Sequence, residues 1–483
     1  MLIKQTGKIP QNVDVVFAIR QDVEKHPFFG MLSAKEKEYV RNIEKNLKEG
    51  ERVVPLPGGR KMLFAKVPEK FNHRKSMLLM RKIVAIAKAN RLKSIVINID
   101  DFRTGEKEFD AVIPRVAAME FEMANFEFVK YKTQPKGGWN FVREILIYAD
   151  KGRIVADIEK QLKEGTIIGE ETNGTRELSN TPGGDMTPTV LAQAAIAAGR
   201  RSGFKVKVLQ ESEIKRLKMG GVLGVARGSS EKPKFIIMEY LKGGKGKPIV
   251  LIGKGVTFDS GGLNLKPSSG IYEMHMDMSG GAAVIHTIAA AARLKLKKNI
   301  VGLVPSVENM PSGSSYRPGD LLKTMSGKTI EVLNTDAEGR VILSDALHYA
   351  KRYDPELVVD IATLTGAAMV ALGQRASAIF ATDEKTQEQI IESGELSGDY
   401  VWPFPLWEEY EDDIKGTFGD VANDAKTRYG GAITAAAFLW QFAKGVSWVH
   451  IDMAPRMTSI DGDYLSKGAT GSPVPLLLQF LRQ

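Results

Sequence analysis

Short apolar runs rich in β-branched residues alternate with helical patterns along most of this chain, and that alternation constrains the fold more than any other feature. Asp14–Ile19 (DVVFAI) and Ser94–Ile99 (SIVINI) read as buried strands. Residues 73–93, between them, read as an amphipathic basic helix, with Met77, Met80, Val84 and Ala87 at helical spacing. The alternation resumes at Phe204–Leu209, Pro248–Ile252, Ile300–Val304, Ile330–Leu333 and Leu357–Ile361, which read as buried strands separated by small-residue helices such as Gly280–Leu294. Strands buried on both faces and joined through helices belong to mostly parallel sheets. A chain of 483 residues also exceeds one ordinary core. The expected fold is α/β with two domains. A smaller N-terminal α/β domain covers residues 1–150 and a linker helix covers 151–170. A larger C-terminal α/β domain covers 171–483, with a mostly parallel central sheet flanked by helices.

Punctuation supports these divisions. The prolines and glycines of Asn180–Pro188 mark a loop, and Thr187-Pro188 starts a helix with Pro at its first position. Leu241–Lys247 (LKGGKGK) reads as a hairpin or loop. Gly220-Gly221-Val222-Leu223-Gly224 hints at a nucleotide loop but does not fit the dinucleotide fingerprint, and reads as a structural turn.

Composition removes several classes. No apolar run reaches the roughly 18 residues of a spanning helix, and the N-terminus lacks the apolar stretch of a signal peptide. The absence of cysteine excludes disulfides and thiolate metal sites. A cytoplasmic protein is expected. The net charge of +9 is uneven: residues 1–170 carry 32 Lys+Arg against 23 Asp+Glu, whereas residues 171–483 carry 35 of each. A basic N-terminal part is either a solvated lysine-rich surface or the footprint of nucleic-acid binding.

Four stretches carry chemistry. Gly253–Gly262 (GKGVTFDSGG) follows a strand; Leu265-Lys266-Pro267 comes next; Met274–Met278 (MHMDM) precedes a helix; Asn334–Arg340 (NTDAEGR) lies between a strand and a helix. Taken alone, Asp336 and Glu338 read equally well as a helix N-cap and a first-turn acid. Taken together, three aspartates and a glutamate gather near strand ends, where ligands collect in such sheets. If Asn334–Arg340 is extended, Asp336 and Glu338 point the same way. Converging carboxylates repel and raise one another's pKa unless divalent ions neutralise them. Two ions bridged by shared carboxylates are a common hydrolytic arrangement, and oxygen-rich ligation suits manganese, magnesium or zinc.

These stretches resemble the leucyl aminopeptidase (cytosol aminopeptidase) family over about residues 170–483. NTDAEGR, GKGxTFDSGG, the lysine of Leu265-Lys266-Pro267 and the aspartate of DMSGGAA stand at the family spacing. Met219–Gly228, Ser312–Asp320, Asp360–Gly366 and Gly431–Leu439 agree as well. The resemblance implies a metal-dependent enzyme that releases N-terminal amino acids, preferably leucine and similar residues, by attack of a bridging water on a metal-polarised carbonyl. It implies two divalent ions per subunit, manganese or zinc, held by Lys254, Asp259, Asp277, Asp336 and Glu338. Asp259 and Glu338 would bridge the ions, Lys254 and Asp277 would complete one shell, and Asp336 the other. Lys266 and Arg340 would be the catalytic side chains, with a bicarbonate ion on Arg340 as general base. Met274, Asn334, Thr363, Leu364 and Gly366 would bind substrate. A homohexamer, a dimer of trimers, is the implied assembly. The competing readings are nucleic-acid binding through the basic domain, a two-metal phosphatase or nuclease, and an inactive structural relative.

Overall fold

The structure, a computed structural model, describes residues 1–10, 12–19, 22–46, 51–57, 59–149 and 158–483. It divides into two compact units. The first is Met1–Asn173 with Ile460–Ser466, and the second is Gly174–Ser459 with Lys467–Gln483. Part of the segment expected as a linker helix, residues 151–157, lies outside the described residues; the helix described there is Ile158–Asn180.

The first unit is built on six strands: β1 (Leu2–Thr6), β2 (Asp14–Ile19), β3 (Arg52–Pro55), β4 (Lys61–Lys66), β5 (Ser94–Asn98) and β6 (Glu144–Tyr148). They run in the order β1-β6-β5-β2-β4-β3. All pairings are parallel except β3 with β4. The helix His73–Ala89 starts where Asn72 accepts a hydrogen bond from the Lys75 amide (3.1 Å), and it buries Met77, Met80, Val84 and Ala87, the stripe its sequence spacing predicts. Lys82 on that helix stacks its ammonium over the ring of Tyr464 at 5.6 Å, one tie to the late segment Ile460–Ser466.

The second unit holds twelve strands: β7 (Lys205–Leu209), β8 (Lys234–Leu241), β9 (Ile249–Gly253), β10 (Gly255–Asp259), β11 (Asn299–Asn309), β12 (Leu321–Lys323), β13 (Thr329–Glu331), β14 (Leu357–Ala362), β15 (Ser377–Ala381), β16 (Val401–Pro403), β17 (Val421–Ala422) and β18 (Trp448–Asp452). Nine form one sheet in the order β16-β15-β18-β14-β9-β11-β8-β7, with β10 also on β11. Its centre, β18-β14-β9-β11, is parallel, while β8, β7 and the β15–β18 pair are antiparallel. β9, β14 and β18 are buried along their whole length, and β9 and most of β14 accordingly read as apolar runs. The strand expected at Ile330–Leu333 is β13, and it belongs instead to a separate sheet of β12, β13 and β17. Thr187 caps the helix Pro188–Ser202, as its sequence suggests.

The glycine-rich stretch expected as a turn is a helix, Gly220–Ala226. A Cβ on Gly220 would stand 2.0 Å from the Lys323 carbonyl oxygen, and one on Gly221 would stand 2.4 Å from that of Val341. Glycine is needed there for close packing, not for phosphate. Asp345, fully buried, receives the start of this helix: its carboxyl oxygens accept from the amides of Val222 (3.0 Å) and Met325 (2.7 Å). Burial pushes that carboxyl up to about 7 despite the amides. Asp345→Ala strands both amides and is expected to cost about 2–4 kcal/mol, read as a lowered urea midpoint at unchanged slope.

Candidate active site

Backbone geometry brings the four motif stretches to one place in the second unit. β9 lies between β14 and β11, and Lys254 follows its end. The Lys254 amide donates to the Ile361 carbonyl on β14 (2.9 Å), and its carbonyl accepts from the Gly281 amide (2.7 Å) in the helix Ser279–Arg293. That helix can approach because Gly280 lacks a Cβ, which would lie 2.2 Å from the Ile361 carbonyl oxygen. Asp259 ends β10. Asp277 follows the short turn Met274–Met276. Asp336 comes from the turn before the helix Glu338–Ala350, and Glu338 is the first residue of that helix.

The side chains interlock. Lys254 Nζ lies 2.8 Å from Asp277 Oδ1, 2.8 Å from Glu338 Oε1 and 3.0 Å from the Thr363 carbonyl. Lys266 Nζ lies 2.8 Å from Asp259 Oδ2 and 2.6 Å from Asp336 Oδ1. Ligand oxygens of Asp259, Asp336 and Glu338 sit within 4.8 Å of one another. Gly339 makes room for this: a Cβ there would be 2.7 Å from Lys254 Nζ. The segment Asn334–Arg340 is not extended. Asp336 and Glu338 converge because one sits in a turn and the other opens the helix, whose N-cap is Ala337 without a side-chain bond. The N-cap reading of Asp336 therefore falls, while Glu338 does occupy the first turn, where the helix end favours an anion.

Burial dominates the electrostatics. It raises the Asp277 carboxyl well above the usual range, and it raises Asp259 and Asp336, with Glu338 adding repulsion at Asp259 and Asp259 adding it at Asp336. Burial pulls Lys254 and Lys266 the other way, but the carboxylates outweigh it and hold both ammonium groups above the ordinary lysine range. Four carboxylates against two ammonium groups leave excess negative charge in a buried site, and Asp277 Oδ2 is buried with no hydrogen-bond partner among the described residues. An oxygen-rich, net-negative donor set with an orphan oxygen fits a divalent metal ion.

The other expected residues lie around this cluster. Thr363, just past β14, donates its hydroxyl to Asp277 Oδ1 (2.7 Å). Leu364 follows it, and exposed Gly366 opens the helix Gly366–Leu372. Met274 packs against Met276, Met457 and Ala469. Asn334 is tied at both ends: its Nδ2 donates to Asp424 Oδ2 (2.9 Å) and its Oδ1 accepts from the Asp336 amide (2.9 Å). Arg340 is buried, which lowers its pKa; Nη1 donates to the Asn423 carbonyl (2.9 Å), and Nε is buried with no hydrogen-bond partner among the described residues. A separate cleft of about 410 Å³, lined by Leu223, Arg227, Lys232 and Leu321 among others, contains none of these residues.

Sequence reasoning missed the side chains that hold the cluster from behind. Asn309, at the end of β11, donates to Asp259 Oδ1 (2.8 Å) and to the Thr335 carbonyl (2.9 Å). Asn423 accepts from the Leu333 amide (2.8 Å) and donates to the Asn334 carbonyl (2.6 Å). Neither residue lies in a charged motif, so only a view of where β11 and β17 end could have found them. Asn309→Ala is expected to weaken metal affinity or turnover about 10- to 100-fold, as removal of a ligand-orienting partner commonly does; titration of the metal-stripped variant and steady-state kinetics would measure it.

Lysines and acids gathered at one point of an α/β domain make an oxygen-rich, net-negative site of the kind that holds divalent ions. Residues 173–478 match the catalytic domain of the cytosol aminopeptidase family. A probable cytosol aminopeptidase of Chlorobaculum tepidum is 50% identical over 342 residues, 70% of this chain and 68% of that protein. One from Methylobacillus flagellatus is 44% identical over 363 residues, 75% of this chain and 72% of that protein. Among solved structures, the bottromycin maturation enzyme BotP in complex with Mn superposes with a TM-score of 0.84 at 27% identity, covering 98% of this chain and 99% of that one. The chain belongs to the cytosol aminopeptidase family, and its activity is that of a metal-dependent aminopeptidase. No described helix is long and apolar enough to cross a membrane.

Proposed function

We propose that the enzyme releases single N-terminal residues, leucine and similar apolar ones foremost, from peptides at a two-ion centre. The observation that carries this reading is the convergence of Lys254, Asp259, Asp277, Asp336 and Glu338 on one buried, net-negative point. In this reading Asp259 and Glu338 would serve both ions, Lys254 and Asp277 would hold one and Asp336 the other, with Lys254 giving up its ammonium proton as that ion binds. When bound, manganese or zinc ions would anchor the substrate amine, polarise the scissile carbonyl and activate a water. The need for a free amine makes the enzyme an exopeptidase.

Lys266 supplies a fixed positive charge. Its side chain is 16% exposed and reaches between Asp259 and Asp336, so it can stabilise the oxygens of the tetrahedral intermediate as their charge develops. Arg340 offers its free Nε to a planar anion, and a bicarbonate held there would take the proton from the attacking water. Bicarbonate added to carbonate-depleted enzyme is then expected to raise kcat severalfold, and Arg340→Ala to abolish that response. Equal rates with and without bicarbonate would remove this role. Met274, partly buried against Met276 and Met457, would give the substrate pocket an apolar wall, with Asn334, Thr363, Leu364 and Gly366 completing it. Assembly as a dimer of trimers belongs to the same reading.

The test is hydrolysis of a leucyl amide by metal-stripped protein with manganese, zinc or magnesium restored separately, beside a blocked N-acetyl-leucyl amide and a phosphate ester. Activity on the free-amine substrate alone supports the proposal. Cleavage of the blocked amide or of the ester in preference would overturn it.

A further inference from the structure

Asp452, at the end of β18, belongs to none of the expected motifs. It is 1% exposed, and its carboxylate gathers four hydrogen bonds. Oδ1 accepts from the amides of Leu364 (3.1 Å), Thr365 (3.4 Å) and Ala454 (3.2 Å). Oδ2 accepts from the Thr365 hydroxyl (2.7 Å), whose oxygen in turn accepts from the Ala368 amide (3.0 Å) and so caps the helix Gly366–Leu372. β14 and β18 pair in parallel with Ala362 opposite Asp452, and the Met453 amide adds a bond to the Ala362 carbonyl (2.8 Å). The turn Thr363-Leu364-Thr365 is thus fastened to β18 through one carboxylate.

That turn ends on the chemistry. The Thr363 carbonyl accepts from Lys254 Nζ, and the Thr363 hydroxyl donates to Asp277 Oδ1. A lysine amine that donates its lone pair to a cation has only its N–H groups left to fix its direction, so the position of the carbonyl accepting one of them sets where the lone pair points. The same turn fixes which Asp277 oxygen is engaged and leaves Oδ2 unpartnered.

We infer that Asp452 is a positioning residue: through the turn Thr363–Thr365 it aims the Lys254 amine and the Asp277 carboxylate at the ion they share. This rests on the proposed reading that Lys254 and Asp277 complete one ion's shell. Asp452 touches neither side chain itself. It acts by holding Thr363.

The test is calorimetric titration of Mn²⁺ alone into metal-stripped full-length protein, with thermal unfolding alongside, for the wild type, Asp277→Asn, Asp452→Ala and Asp452→Asn. Asp452→Ala is expected to weaken one of the two ions about tenfold and to leave the other unchanged, in line with the usual cost of losing a ligand-orienting partner. Asp452→Asn keeps the oxygen that accepts three amides and is expected to stay within about twofold of wild type on the same argument. If Asp277→Asn loses one ion while Asp452→Ala binds both as the wild type does, the positioning role is overturned and the metal-shell reading stands. If Asp277→Asn itself binds both ions normally, the metal-shell reading fails first and takes the inference with it. Equal weakening of both ions in step with a lowered unfolding temperature would mean a merely structural role and would also overturn it. Should Asp452→Ala fail to fold, Thr365→Val removes the Oδ2 bond and is judged by the same outcomes.

Discussion

Lys266→Met is expected to lower kcat on a leucyl amide about 100- to 1000-fold, the usual cost of deleting one group that stabilises an oxyanion, while KM changes little. Methionine keeps most of the length and bulk of lysine and removes the charge. Lys266 Nζ sits against Asp259 and Asp336, so its loss makes the donor set more negative, and metal retention should hold or improve. That separation is informative: a fall in kcat with full metal content places Lys266 in the transition state rather than in ion binding. Lys266→Arg is expected not to rescue, because a planar fork with fixed donors does not replace a compact ammonium between two carboxylates. A kcat within threefold of wild type would remove Lys266 from the reaction.

Chelation should have the larger effect. An ion that polarises the carbonyl and activates water lowers the barrier by several kcal/mol, and each 1.4 kcal/mol is about tenfold. Metal-stripped enzyme is therefore expected to retain less than about one part in a thousand of its activity. Stability should follow. Folding gathers Asp259, Asp277, Asp336 and Glu338 into a buried site where two lysines offset only part of their charge. A cation that binds the folded state alone adds about 2.7 kcal/mol at a hundred times its dissociation constant. Manganese should raise the unfolding midpoint by several degrees in the wild type and by clearly less in Asp259→Asn. An unchanged midpoint at saturating manganese would argue against a buried ion at this cluster.

Much of this fold is legible in the sequence, for physical reasons. β9, the Ile300–Val304 part of β11 and most of β14 are buried on both faces and largely apolar, so they read as strands. The helix His73–Ala89 showed its buried stripe because one face meets water. What stayed hidden depends on distance along the chain. The central sheet is mostly parallel, as expected, but the β7–β8, β8–β11 and β15–β18 pairings are antiparallel, and no local pattern sets pairing direction. The glycines of Gly220–Ala226 suggest a turn by composition, yet their cause is the Lys323 and Val341 carbonyls more than a hundred residues away. The acids of the site were visible as motifs because they cluster in sequence. Their supports, Asn309, Asn423 and Asp452, were not, because each is an isolated polar residue at a strand end whose partners lie elsewhere. The pairing of Asp336 with Glu338 was anticipated through the wrong backbone: a turn entering a helix, not an extended segment, brings them together.

Ile460–Ser466 joins the first compact unit although almost the whole second unit precedes it in the chain. A nascent polypeptide emerging from the ribosome therefore cannot finish its N-terminal body until nearly all of it has been translated. Truncation after Asn173 would yield a fragment lacking Tyr464 and its neighbours, and expression of that body alone calls for a graft of the late segment rather than a simple stop codon.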